Sequence, residues 1–249
     1  MRSISALLVL SLLAAPACLR AQAGPSAAQP RAESDDQILR EALWTRAATA
    51  PPAARPTVGL ALSGGGARAF AHTGVLDVLN YSGFPVDYVS GTSMGAMVGA
   101  FYASGRPMEE MWRFGREAVD LKVARDFKTI RMLPLLIADK LINPKHITRF
   151  IDGRLGGLEF KDLKKPFSCT AMDLRTGEKI IFTDGPLAIA VRASVNIPGI
   201  FAPVQYRQRY LVDGGVVDNI PVDAARSLGA EWVLASVAND EGAKSAQDD

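Results

Sequence analysis

The chain has 249 residues, 48% of them apolar and 22% charged, with a net charge of +2. That is the balance of an ordinary globular protein, long enough for one α/β domain with flanking chain. No basic stripe marks a nucleic-acid partner, and no internal repeat marks a solenoid or propeller.

Met1 to Ala23 reads as a secretory signal peptide: Arg2 gives a positive start, Ile4 to Ala15 an apolar core, and Ala21-Gln22-Ala23 a small-x-small cleavage site. The apolar run is too short for a membrane-spanning helix. Its two charges, Arg2 and Arg20, account for the whole net +2. Ala15-Pro16-Ala17-Cys18 offers a lipoprotein variant, though without the usual Leu three residues before the Cys. Cleavage after Ala23 leaves Cys169 as the one thiol, set in the apolar run Phe167 to Ala171 and read as a small core residue. Export to the periplasm, the outer membrane or the medium is the expected destination. Residues 24–56 are rich in Ala, Pro and Gln and read as a linker. A short helix is expected at its centre, Asp35 to Arg46, carrying Ile38, Leu39, Leu43 and Trp44.

The domain is expected over 57–240, with a polar tail at 241–249. It opens with an apolar strand, Val58 to Leu62, that runs into Ser63-Gly64-Gly65-Gly66-Ala67-Arg68 and then a helix from Ala69 to Asn80. The first amides of a helix lack internal partners, and glycines let a loop turn such amides inward as an anion cradle. The spacing fits neither a phosphate loop nor G-x-G-x-x-G, since no Gly-Lys-Ser/Thr follows and Ala69 takes the place of the last Gly. An oxyanion hole for acyl chemistry is the other use of such a cradle, and a plain tight turn is the bland one.

Next comes Pro85-Val86-Asp87-Tyr88-Val89, a short β-rich run, then Ser90-Gly91-Thr92-Ser93-Met94-Gly95, then a helix of small residues from Met94 to Ala103. This is a G-x-S-x-G elbow: a strand turning sharply into a helix, with Gly91 and Gly95 allowing the corner and Ser93 at its tip near the positive helix end. Gly105 ends that helix and Pro107 starts another to Val119. Residues 121–154 interleave basic and apolar side chains. They read as a cap over an apolar site, a membrane-facing patch or a solvated helix pair, with a helix starting at Asn143-Pro144-Lys145 and ending at Arg154. Strands are expected at Phe167 to Leu174 and Glu178 to Thr183, joined by Arg175-Thr176-Gly177. A helix over Pro186 to Ser194, an apolar loop from Ile197 to Val204, and a strand Tyr210 to Val212 ending at Asp213-Gly214-Gly215 follow. Asp218-Asn219-Ile220-Pro221 leads into a helix through Leu228, and Glu231 to Val237 is the last strand.

The glycine turn at Gly64 to Arg68, the elbow at Gly91 to Gly95 and Asp213-Gly214-Gly215 together resemble the patatin-like phospholipase family, over about Val58 to Val237; the segment Arg192 to Val204 fits as well. The resemblance implies an α/β, three-layer fold, a central mostly parallel sheet with helices on both faces. It implies a Ser–Asp dyad, with Ser93 the nucleophile and Asp213 the base, and an oxyanion hole at Gly64, Gly65, Gly66 and Arg68. Gly91, Gly95, Gly214 and Gly215 support the elbow and turn. No cofactor or metal is implied. Composition agrees on the base: the two His, His72 and His146, both precede Asp213, whereas a hydrolase triad would place its His after the acid. Two departures stand out: Ala69 where bacterial members carry Gly after the Arg, and Asp-Gly-Gly rather than Asp-Gly-Ala. The activity implied is phospholipase A-type hydrolysis of acyl esters, with phospholipid or another acyl-ester lipid as substrate and a membrane surface as partner. The competing readings are a non-catalytic lipid- or membrane-binding module and the passenger domain of a larger outer-membrane protein.

Overall fold

The computed structural model describes residues 35–51, 53–120 and 145–238. The expected signal segment 1–23, the mixed stretch 121–142 and the tail 241–249 lie outside the described residues.

The stretch read as a linker is structured where it is described. Helix α1 (Asp35–Thr49) runs three residues past its expected end. From its second half Trp44 stacks on Phe84, ring centroids 4.0 Å apart, and Ala47 is buried. Further on, the Arg55 guanidinium grips Asp87 with two bonds of 2.6 and 2.8 Å, and Asp87 Oδ2 also accepts the Val58 N–H at 2.7 Å. The Arg55 bonds hold the Asp87 carboxyl below its ordinary range, against the opposing effect of burial. This clamp fixes the chain where it enters the sheet.

Seven strands form one mixed sheet among the described residues: β1 (Val58–Leu62), β2 (Tyr88–Thr92), β3 (Phe167–Asp173), β4 (Lys179–Phe182), β5 (Val204–Tyr206), β6 (Arg209–Asp213) and β7 (Trp232–Ser236), in the order β5-β6-β3-β2-β1-β7 with β4 on β3. The centre β7-β1-β2-β3 is parallel, while β4, β5 and β6 pair antiparallel. The short apolar runs follow from this, since parallel strands are covered on both faces; every residue of β1 is buried.

The helices are α2 (His72–Tyr81), α3 (Met94–Ala103), α4 (Met108–Asp120), α5 (Lys145–Leu155), α6 (Leu187–Ser194) and α7 (Val222–Ser227). Strand alternation sorts them onto two faces. A Cβ placed on Gly99 of α3 would meet Phe167, Val89 and Leu62, so the large side chains of β1, β2 and β3 face α3. One placed on Gly59 would meet Ala225 and Ala230, while Ser90 and Ser168 bond the carbonyls of Pro221 and Ala224. Gly59, Ala61, Ser90 and Ser168 therefore keep the middle of the other face low, and the short helix α7 lies close against it. Three layers result. Helix α3, buried along almost its whole length, is apolar all round because it is covered on all sides. Behind it Phe101 stacks on Phe114 at 4.2 Å, and Phe150 adds a tilted contact at 5.2 Å.

Three local readings change. The chain after the glycine turn first makes a 3-10 turn, Gly66–Ala71, and α2 begins only at His72. The second strand starts later than its apolar run and continues through Gly91 to Thr92, where Gly91 pairs with Cys169 of β3. Strand β5 falls at the end of the apolar loop. It joins β6 through Arg207 and Gln208, whose φ values of 45° and 62° make the mirror-image hairpin turn without its usual Asn-Gly signature.

Strand β3 decides where the site lies. Cys169 and Thr170 pair with both β2 and β4, and Ala171 and Met172 with both β4 and β6. A strand residue has one neighbour on each edge, so β2 and β6 share the edge opposite β4. They run toward each other along it: Thr92 faces Thr170 and Asp213 faces Ala171, the adjacent residue. The residue after β2 is Ser93 and the last residue of β6 is Asp213, so two strand ends deliver them to one point.

Candidate active site

Ser93 sits at φ 54°, ψ −126°, one of three non-glycine residues with positive φ among the described residues. Holding a non-glycine residue there costs about 1–3 kcal/mol and needs firm surroundings. The surroundings are backbone. A Cβ on Gly91 would lie 2.5 Å from the Gly95 carbonyl oxygen and 2.6 Å from the Ala96 nitrogen. One on Gly95 would lie 2.4 Å from both the Leu62 and Ser63 carbonyl oxygens. The Ser93 carbonyl accepts from the Ala96 and Met97 amides, starting α3, and the Ser93 N–H donates to Ser194 Oγ at 2.9 Å.

The Ser93 hydroxyl donates to Asp213 Oδ2 at 2.6 Å. The other carboxylate oxygen accepts the Gly215 N–H at 2.8 Å, and the Asp213 N–H donates to the Asn196 carbonyl at 2.8 Å. Gly214 must be a glycine, since a Cβ would lie 2.5 Å from the Thr170 carbonyl oxygen. Asp213 is 6% exposed. Burial pushes its carboxyl above the ordinary value, outweighing the bonds from Ser93 and Gly215 that favour the charged form. The pair is a hydroxyl against a carboxylate that has lost most of its water.

The glycine turn lies beside it: a Cβ on Gly64 would come within 3.2 Å of Ser93 Cβ. One expectation is corrected here. The Gly64 N–H is spent on the Asn219 carbonyl at 3.1 Å, and one hydrogen serves one acceptor, so Gly64 is a spacer rather than an oxyanion donor. The N–H groups of Gly65 and Gly66 have no hydrogen-bond partner among the described residues. The Arg68 N–H closes the turn on the Gly65 carbonyl at 3.2 Å, and its side chain is exposed. Ala69, where a glycine was the expected residue, is buried and carries no positive φ, so its Cβ adds no backbone strain.

Neither histidine meets the pair. His72 is buried with both ring nitrogens engaged, Nδ1 with Ser236 Oγ at 2.8 Å and Nε2 with the Ser63 carbonyl at 2.9 Å; burial lowers its pKa. His146 is half-buried at the start of α5. Burial likewise pushes the Cys169 thiol up, as expected of a core residue. Ser194, Asn196 and Asn219 hold the elbow, the acid and the glycine turn, and none was singled out from the sequence. They fall in segments with no chemical signature of their own, and only the position of Ser194 and Asn196 inside the family-like stretch 192–204 pointed to them.

Fold and site define a three-layer α/β protein with a serine elbow paired to an aspartate. A family model described as patatin-like phospholipase matches residues 60–226, and the chain belongs to that family. It is 33% identical over 194 residues to an uncharacterised NTE family protein of Mycobacterium tuberculosis, covering 78% of this chain and 52% of that one. It is 32% identical over 181 residues to the neuropathy target esterase sws of Drosophila melanogaster, covering 72% of this chain and 13% of the fly protein. A lysophospholipase of Aspergillus fumigatus is 32% identical over 193 residues, 72% of this chain and 12% of that one. The chain thus spans about half the length of the first of these relatives. Among solved structures, VipD from Legionella pneumophila superposes with a TM-score of 0.53 at 19% identity, over 78% of this chain and 53% of VipD, a likeness of fold.

Proposed function

We propose that this chain is a serine lipid acyl hydrolase of phospholipase A type. The observation that carries the reading is the 2.6 Å bond from the Ser93 hydroxyl to Asp213 at a strained strand–helix corner. In the mechanism, Ser93 Oγ attacks the ester carbonyl carbon while Asp213 Oδ2 takes its proton. The carbonyl oxygen gains a full charge, to which the Gly65 and Gly66 N–H groups donate, with the Arg68 charge on the same turn. The tetrahedral species collapses: the ester C–O bond breaks and the alcohol leaves with the proton held by Asp213. A water then attacks the acyl-enzyme, giving its proton to Asp213, and the fatty acid is released as Ser93 takes the proton back. The family membership and the esterase and lysophospholipase relatives support an acyl-ester lipid substrate. The N-terminal charge and apolar pattern supports an exported enzyme that meets phospholipid at a membrane surface.

The test is hydrolysis of a short-chain nitrophenyl ester and of phospholipid vesicles by the purified protein beside Ser93→Ala and Asp213→Ala. Both variants should lose about three orders of magnitude or more in kcat with folding unchanged. Wild-type inactivity on both substrates would favour the lipid-binding reading, and loss in Ser93→Ala alone would overturn the choice of base.

A further inference from the structure

We infer that Ser63 is the positioning residue that aims the Gly65 amide at the reacting carbonyl, with His72 holding Ser63 in place. This rests on the reading of Ser93 as an acyl-transfer nucleophile.

The glycine turn begins with two peptide planes. The first, Ser63 to Gly64, is pinned at both ends: its carbonyl accepts from His72 Nε2 at 2.9 Å and its N–H donates to the Asn219 carbonyl at 3.1 Å. A carbonyl only accepts, so Nε2 carries the hydrogen. Nδ1 then accepts the Ser236 hydroxyl at 2.8 Å, and the ring is neutral. Burial, which disfavours imidazolium, agrees with that state.

The second plane, Gly64 to Gly65, is held differently. Its carbonyl accepts the Ser63 hydroxyl at 2.8 Å. In a trans peptide the N–H points opposite the C=O, so fixing this carbonyl fixes the direction of the Gly65 N–H, which has no partner among the described residues. Glycines on both sides make a flip of this plane sterically cheap, and the hydroxyl is what opposes it. The hydroxyl is itself oriented, accepting the Ala238 N–H at 2.9 Å, while the Ser63 N–H donates to the Ser236 carbonyl at 3.0 Å. Ser63 and His72 are 0% and 1% exposed, so the links from His72 through Ser63 to Gly64 run through buried interior, where each bond is stronger than in water, and the chain ends at the half-buried Ser236. The Ser63 carbonyl also bounds the gap beside Gly95, which ties the turn to the elbow.

The experiment measures kcat and KM on a nitrophenyl ester well below each variant's melting temperature, with Ser93→Ala as the blank. An amide that binds only the developing oxyanion acts on kcat, so Ser63→Ala should lose about 10- to 100-fold in kcat with KM within about twofold. Its phosphonate labelling rate should fall by a similar factor. His72→Leu should show the same split, and His72→Gln, whose side-chain amide replaces the Nε2 donor, should recover most of the loss. A merely structural role would lower the melting temperature of His72→Leu and His72→Gln alike and leave the kcat of the folded protein untouched. Wild-type kcat in Ser63→Ala, with Ser93→Ala inactive, overturns the inference and leaves the proposed function standing. If Ser63→Ala does not fold, equal kcat in the two His72 variants overturns it. An inactive wild type removes the proposed function and this inference together.

Discussion

Gly95→Ala is a sharp test of how the elbow is built. The added Cβ would sit 2.4 Å from two carbonyl oxygens, those of Leu62 and Ser63. Side-chain carbons do not come within 3.0 Å of such atoms, so each contact needs about 0.6 Å of movement. Neither oxygen can swing aside. Leu62 ends β1, which is hydrogen-bonded to β2 on one edge and β7 on the other, and Ser63 is held by His72. Overpacking of this kind costs about 1–3 kcal/mol, and the rigid partners argue for the upper end. Against this, Ala gains about 1 kcal/mol over Gly within a helix. The net loss is about 2 kcal/mol, a drop of about 4–8 °C in melting temperature for a domain of this size. Activity should fall further than stability. The strain moves the glycine turn away from Ser93, and misplacement approaching 1 Å costs about 100-fold in rate. The control is Gly153→Ala at an exposed position of α5, where a Cβ meets nothing within 4 Å; it should gain up to about 1 kcal/mol and leave kcat unchanged. Thermal melts and ester hydrolysis read both variants. A Gly95→Ala protein with wild-type melting temperature and kcat would refute the claim that backbone contact dictates that glycine.

Asp213→Asn should abolish hydrolysis yet raise stability at neutral pH in denaturant titrations, because a carboxyl raised above its ordinary value destabilises the fold wherever it is ionised. The sign gives a second outcome: in the wild type the acid limb of kcat/KM should lie above about 3.9, the ordinary Asp value, since the base must be unprotonated. Arg55→Ala should cost about 1–3 kcal/mol by leaving the Asp87 carboxylate with the Val58 amide alone. Asp87 is held low, so its contribution is full above about 3.9 and is lost as pH falls through the folded value; the variant's acid-unfolding profile should be flatter there.

The parts of this protein that were legible in its sequence are those where a local constraint forces a residue type. Gly91, Gly95 and Gly214 are dictated by backbone approach within 2.6 Å, and the strands of the parallel centre by burial on both faces. Positions fixed by partners distant in the chain were not legible. The commitment of the Gly64 amide to Asn219 depends on a loop 155 residues further on, and the Ser194 bond to the Ser93 amide on the end of a helix 101 residues away. A serine or asparagine in an apolar segment carries no mark of such duty. Likewise, the β5–β6 turn at Arg207 and Gln208 lacks the residues its geometry prefers, so the pairing of β5 with β6 and not local propensity sets it.

The sheet also explains why an aspartate can stand alone as the proposed base. In a triad the imidazole bridges a gap between acid and hydroxyl and keeps the carboxylate a step removed. Here β2 and β6 end head to head on adjacent residues of β3, and the gap closes to a single hydrogen bond of 2.6 Å. Direct contact places the whole demand on the carboxylate, which in water is far too weak a base for a hydroxyl. The fold answers by burying it and by giving it two donors among the described residues, the Ser93 hydroxyl and the Gly215 amide. A further amide on Oδ2 would stabilise the charge and lower basicity. The glycines that follow Asp213 therefore do more than permit the turn. They let the chain pass Thr170 closely while presenting one amide, on the oxygen that does not touch Ser93. Basicity at this site is set by how few hydrogen bonds the backbone offers as much as by the one it makes to the nucleophile.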